Sequence, residues 1–119
     1  HTYTRTLALM DEFAKAFDAA DSVMLAEIYA AREKNIYKIS SRTLMEKIRE
    51  HNPDLDIETF DDFEAMAKHV YENAGEGDLI LTMGAGDIYK AGEIILDMDV
   101  SRIETIKKTR VRELKKIED

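Results

Sequence analysis

The 119-residue chain is long enough for one domain with a buried core, with 45% hydrophobic and 35% charged residues. It has no cysteine, which excludes disulfides, thiolate metal sites and cysteine nucleophiles and fits a cytoplasmic protein. Its net charge of -8 argues against wrapping nucleic acid, and no apolar run approaches a membrane span.

Charge is unevenly spread. Residues 100–119 hold seven of the 17 Lys/Arg and four of the 25 Asp/Glu, so they form a separate basic unit on an acidic chain.

In chain order, the first helix is predicted from about Thr4 or Thr6 to Ala19. Leu7, Met10, Phe13, Ala14 and Phe17 recur at helical spacing, and Asp11 and Glu12 face away. Asp21-Ser22 breaks that pattern. Residues 23–28 then read as a short, mostly apolar strand of the kind a covered parallel sheet uses. A charged loop spans residues 29–40. Ser40 or Ser41 caps a second helix with Leu44, Met45 and Ile48 on its apolar face, ending near Asn52-Pro53.

Residues 56–59 read as a weak, peripheral strand. Asp61 is the expected cap of a third helix, with Glu64 three residues on and a stripe of Phe63, Met66, Ala67, Val70 and Tyr71. Gly75 suits its left-handed exit. Residues 78–83 give the clearest strand pattern in the chain, followed by Gly84-Ala85-Gly86-Asp87 and a helix carrying Ile88, Ala91, Ile94 and Ile95. Residues 97–119 read as a charged, helical extension. A surface helix packed by one stripe explains it, and so does self-association or contact with a partner helix.

Strands alternating with helices imply crossovers, hence an α/β domain with a mostly parallel sheet. The expected class is a Rossmann-like three-layer domain over residues 1–96. Three strands are expected, and the chain opens on a helix. A strand before His1 is therefore expected to belong to the parent fold.

Ligands of such sheets bind outside the C-terminal strand ends. The loops at 27–29 and 84–87 share that edge, and residues 1–5 join them if a strand precedes. Glycine at 84 and 86 permits close backbone approach to an anion; a tight turn with Asp87 capping the helix explains the loop equally well. Neither a dinucleotide fingerprint nor a Gly-Lys-Ser/Thr phosphate loop is present. Arg5 offers a planar fork for a carboxylate or phosphate, or is a surface arginine. In a first helical turn its charge opposes the helix dipole, which favours a use beyond helicity. His1 can donate to the same anion, or be an expression remnant. Tyr3 can stack on a ring, or shield the sheet edge. His51 and His69 have no metal-ligand spacing.

Three stretches taken together resemble the C-terminal domain of Mur ligases: His1-Thr2-Tyr3-Thr4-Arg5-Thr6, Glu27-Ile28-Tyr29-Ala30-Ala31-Arg32-Glu33 and Thr82-Met83-Gly84-Ala85-Gly86-Asp87-Ile88. Phe13 and Ser40-Ser41 also match, and the resemblance covers about residues 1–96. It implies an ATP- and Mg²⁺-dependent amide-forming ligase of peptidoglycan precursor synthesis. The resemblance further implies that an acyl phosphate forms on the muramyl carboxylate of UDP-N-acetylmuramate and that the amine of L-alanine attacks it. The resemblance also implies preceding central and N-terminal domains that hold ATP, Mg²⁺ and the UDP-sugar.

By the same resemblance, His1 and Arg5 engage the amino-acid carboxylate. Tyr3 and Tyr29 line the substrate site, and Gly84, Ala85, Gly86 and Asp87 shape it; no residue here is assigned proton transfer. Thr2 stands where the family often has a basic residue, and Glu27-Ile28-Tyr29-Ala30 replaces its usual Asp-Ile-Tyr-Pro. The 119 residues alone are expected not to catalyse the ligation. A non-catalytic α/β binding or interaction module is the rival reading. Response-regulator-like domains share the layering, but the acidic cluster they need near the first strand is not supplied by Asp21.

Overall fold

The computed structural model describes residues 1–118. Its elements run α1 (Tyr3–Ala8), α2 (Met10–Lys15), β1 (Ser22–Ala26), α3 (Ser41–His51), β2 (Asp56–Phe60), α4 (Phe63–Asn73) and α5 (Tyr89–Glu118). The protein is α/β, with a two-stranded parallel sheet. β1 and β2 pair from Ser22↔Asp56 to Ala26↔Phe60, and α3 makes the crossover. The segment expected to be a weak, peripheral strand is thus half of the sheet.

Side chains alternate between faces along each strand. On one face Val23 and Ile57 join Ala14, Met45 and Ile48 in a buried cluster, flanked by Phe17, Leu25 and Leu44. Ile48 is its most enclosed large side chain, only 1% exposed. The same cluster explains the spacing of α2 and α3: Met10 and Ala14 bury one face of α2, and Met45 and Ile48 one face of α3. On the other face Glu58 and Phe60 meet α4. His69 Nε2 lies 3.5 Å from Glu58 Oε2, and the Phe60 and His69 rings are 5.2 Å apart.

Helix α3 starts as the sequence indicates. Ser40 accepts from the Thr43 amide while the Thr43 hydroxyl accepts from the Ser40 amide, a reciprocal cap. Helix α4 starts one residue later than expected. Asp62, not Asp61, accepts from the Ala65 amide at 2.7 Å, because β2 continues through Phe60.

Four further expectations are corrected. The first helix is two short helices meeting at Leu9, whose ψ of 15° departs from helical geometry. Gly75 is not the left-handed exit of α4. The chain leaves through extended Ala74, and the positive φ falls on Gly77. The helix after the glycine loop begins at Tyr89, so Ile88 precedes it, and it continues past Leu96 without a break as α5.

The fourth correction is the largest. Residues 78–83 form no strand. Leu79 is 89% exposed and Met83 74%. The β-forming pattern is there, but no neighbouring strand among the described residues supplies the backbone partners that pairing requires. Thr82 instead rests against Gly92 of α5, where an added β-carbon would lie 3.3 Å from the Thr82 methyl.

Candidate functional site

Tyr29, three residues beyond β1, is where the three expected loops meet. The His1 imidazole stacks on its ring, with centroids 5.3 Å apart and planes 18° from parallel. The Thr2 amide donates to the Tyr29 carbonyl at 2.7 Å. From the third loop, Gly86 packs so closely that an added β-carbon would stand 3.0 Å from Tyr29 Cγ. Glycine is required there because the ring fills the space a side chain would need. The rim inferred from strand direction therefore exists, although residues 78–83 are not in the sheet.

Local bonds hold the amino-terminal stretch in place. Thr2 takes a φ of 53°, an unfavourable conformation for a β-branched residue. It is held there from both sides. Its amide is bound by Tyr29, its hydroxyl accepts from the Arg5 amide, and its carbonyl accepts from both the amide and the hydroxyl of Thr6. Glu33 adds a second tie, accepting from the Thr4 amide at 3.0 Å. The Thr4 backbone bond is the main reason that the Glu33 carboxyl is held below its ordinary pKa.

Arg5 is exposed and forms no ion pair among the described residues. Because α1 is only six residues long, Arg5 lies in its last turn, where a cation suits the helix dipole. Contrary to the sequence expectation, the Arg5 charge does not oppose the helix dipole and gives no sign of a special use; its guanidinium is free of ion pairs among the described residues. The Arg5 amide is held by the Thr2 hydroxyl, and the Thr2 amide by the Tyr29 carbonyl, so Arg5 stands one helical turn from the rim. Tyr3 is half-buried at the start of α1.

The glycine loop serves two purposes. Gly84 folds over Ile88, whose Cγ2 would meet an added β-carbon at 3.0 Å, so the loop is a tight turn. Gly86 faces Tyr29. Ala85 is exposed. Asp87 does not act as the expected side-chain cap: its carboxylate pairs with Lys90 at 3.5 Å, while its carbonyl accepts from the Lys90 amide.

Sequence reasoning missed three positioning residues. Glu27 fixes the α3 start to the end of β1, accepting from the Ser41 amide at 2.9 Å and its hydroxyl at 3.3 Å. Glu33 ties the loop after Tyr29 to α1. Asn35 closes the same loop through two bonds to the Ile39 backbone. The signal for the first two was an acidic residue at each end of the motif around Tyr29. His51 and His69 pair with Asp18 and Glu58, away from this rim.

The rim thus offers an imidazole, a free guanidinium and a phenol around a glycine loop. Glu27 and Glu33 are already engaged by backbone amides. That set suits an anionic group better than a cation. Among the described residues no group of three or more His, Asp or Glu side chains is arranged to hold a metal. An imidazole and a guanidinium are not the oxygen donors that Mg²⁺ takes, so these rim side chains do not suit that ion.

A family profile described as "Mur ligase, glutamate ligase domain" matches residues 3–86. The chain is 53% identical over 96 residues to a UDP-N-acetylmuramate–L-alanine ligase of Acetivibrio thermocellus, covering 81% of this chain and 20% of that protein. It is 51% identical over 98 residues to the ligase of the same name from Clostridium botulinum strain Okra, covering 82% and 21%. The ligase of that name from Caldanaerobacter subterraneus is 45% identical over 97 residues, again covering 82% and 21%. The chain spans about a fifth of the length of these curated relatives.

Proposed function

This chain belongs to the Mur ligase family through its glutamate ligase domain, and from that premise we propose that it forms the amino-acid-binding wall of a UDP-N-acetylmuramate–L-alanine ligase. The observation that carries the reading is the meeting of His1, Tyr29 and Gly86 on one rim, with Arg5 tied to it through Thr2 and its guanidinium free of ion pairs among the described residues.

The reaction joins the amine of L-alanine to the activated muramyl carboxylate of UDP-N-acetylmuramate, and phosphate leaves. A wall of such a site has to hold the amino acid by its carboxylate, leaving the amine free to attack. In this reading Arg5 supplies the paired donors, and His1, oriented by its stack on Tyr29, supplies a further one. A carboxylate bound by several donors is oriented as well as attracted. Gly84 to Asp87 shape the far side, and Tyr3 and Tyr29 line the floor.

ATP and Mg²⁺ belong to other segments of such a ligase. No Gly-Lys-Ser/Thr loop occurs in these 119 residues, and no step is assigned to this chain through either group. The chain alone is expected to give no ATP-dependent phosphate release. In the finer form of the fold, a Rossmann-like three-layer domain, a strand between β1 and residues 79–83 would bring that apolar segment into the sheet. The supporting observation is that the segment is exposed, yet its following loop touches Tyr29 just after β1. Such ligases work on soluble precursors, which agrees with a cytoplasmic setting; no helix among the described residues is long and apolar enough to cross a membrane.

The test grafts residues 1–96 in place of the matching segment of the Acetivibrio thermocellus ligase. Arg5→Ala in the graft should raise KM for L-alanine by roughly 10- to 100-fold, the cost of losing a charge-assisted hydrogen bond. KM for ATP should stay within about 2-fold, since uniform binding of only one substrate is lost. Equal changes in both constants would refute the assignment.

A further inference from the structure

The family match ends at residue 86, yet α5 continues to Glu118. Its first turns pack on the domain through buried Ala91 and half-buried Ile94, Ile95 and Met98. From residue 99 to residue 116 every side chain is exposed. About 27 Å of helix, at 1.5 Å per residue, therefore projects from the body.

That projection carries an apolar stripe. Leu96, Val100, Ile103 and Leu114 fall within about 60° of one another at 3.6 residues per turn, and they are 67%, 54%, 44% and 54% exposed. A helix with such a stripe is stable when the stripe is covered. Charge along the helix is divided into two blocks. Residues 93–104 carry four acids and one base; residues 105–116 carry six bases and one acid.

We propose that this helix pairs antiparallel with the same helix of a second copy. Antiparallel pairing sets each acidic block against a basic block, whereas parallel pairing would oppose like charges. It also accounts for Lys107 and Arg110, which sit in the apolar stripe. Opposite them lie Ile103 and Val100 of the second copy. Their aliphatic stems cover those side chains, and their charged ends reach the acidic block beside them. Folding back onto the same domain would require a break, and residues 93–116 contain neither glycine nor proline. An acidic half likewise makes an anionic membrane or nucleic acid a poor occupant. The pairing is independent of the amide-forming reading, because it uses no residue of the Tyr29 rim.

The 119-residue chain is tested by light scattering over a dilution series at low and high salt. It should form a dimer whose Kd rises with NaCl as the opposed blocks are screened. Val100→Asp/Ile103→Asp should be monomeric while the melting of the domain is unchanged, which separates loss of pairing from loss of folding. Asp97→Lys/Asp99→Lys should weaken the dimer about 10-fold or more, and mixing it with Arg110→Glu/Arg112→Glu should restore pairing. For orientation, Leu96→Cys mixed with Leu114→Cys should cross-link on oxidation, whereas Leu114→Cys alone should not. A chain monomeric at every concentration, a dimer untouched by the charge changes, or a Leu114→Cys self-cross-link would each overturn the proposal. So would a monomer that binds anionic lipid vesicles through this helix.

Discussion

Two regions of this molecule have equally apolar sequences and opposite fates. Around β1, α3 and β2, apolar side chains close on one another, down to 1% exposure at Ile48. Along residues 79–83 and the projecting half of α5 they stay open to solvent, with Leu79 at 89%. The difference lies in partners rather than in pattern. β1 has a strand beside it and α2 and α3 on its face. A hydrophobic stripe states that something will cover it, not that the covering group lies in the same 119 residues.

The contrast is tested most strongly in the core. Ile48→Ala should destabilise the domain by about 2–5 kcal/mol, through lost transfer energy and an unfilled cavity. Ile103→Ala, on the projecting helix, should change the melting of a dilute sample by no more than about 0.5 kcal/mol. Denaturant unfolding of the two variants checks this. Equal losses would mean that the α5 stripe is already part of the fold.

At the rim, Gly86→Ala should cost about 1–3 kcal/mol, because the new methyl meets Tyr29 Cγ and the ring has to move. The His1–Tyr29 stack should be disturbed too, which NMR of the His1 ring protons would report. The Ser40 cap is of intermediate weight. Ser40→Ala should cost about 1 kcal/mol as the Thr43 amide loses its partner, measured by the same denaturant method.

The smallest effect is one of pH. Glu33 has its pKa lowered in the fold, so its contribution is present above the unfolded value and is lost as pH falls through the lower folded value. The Thr4 amide signal should shift over that acidic window, with no change near neutrality. A Thr4 shift centred near neutral pH would contradict the bond.

Much of the packed half was legible in sequence because its signals are local. The Ser40 cap, the Leu44–Met45–Ile48 face and the 23–28 strand each carry their own pattern, and each appears nearly where expected. The meeting of the loops was expected for a reason that does not hold: the loops after residues 28 and 83 were to share an edge because both followed parallel strands, and residues 78–83 are not in the sheet, yet Gly86 still packs on Tyr29. What failed depended on distant partners or on a single residue of register. Residues 78–83 have strand composition, but strandness is a property of a pair. The α4 cap moved from Asp61 to Asp62 because β2 holds one more residue. Arg5 was misjudged on the dipole because the break at Leu9, which shortens α1, has no glycine or proline to announce it. Glu27 and Glu33 act on backbone amides 14 and 29 residues away, which no local spacing reveals, whereas Asn35 closes its loop on Ile39 only four residues on.

In the proposed function Tyr29, wedged between His1 and Gly86, shapes an amino-acid-binding wall. Gly86→Val in the grafted ligase tests it most directly, with phosphate release followed at varied L-alanine and varied ATP. The account predicts KM for L-alanine raised roughly 10-fold or more, with KM for ATP unchanged. A variant with both constants unchanged, or with only the ATP constant raised, would contradict it.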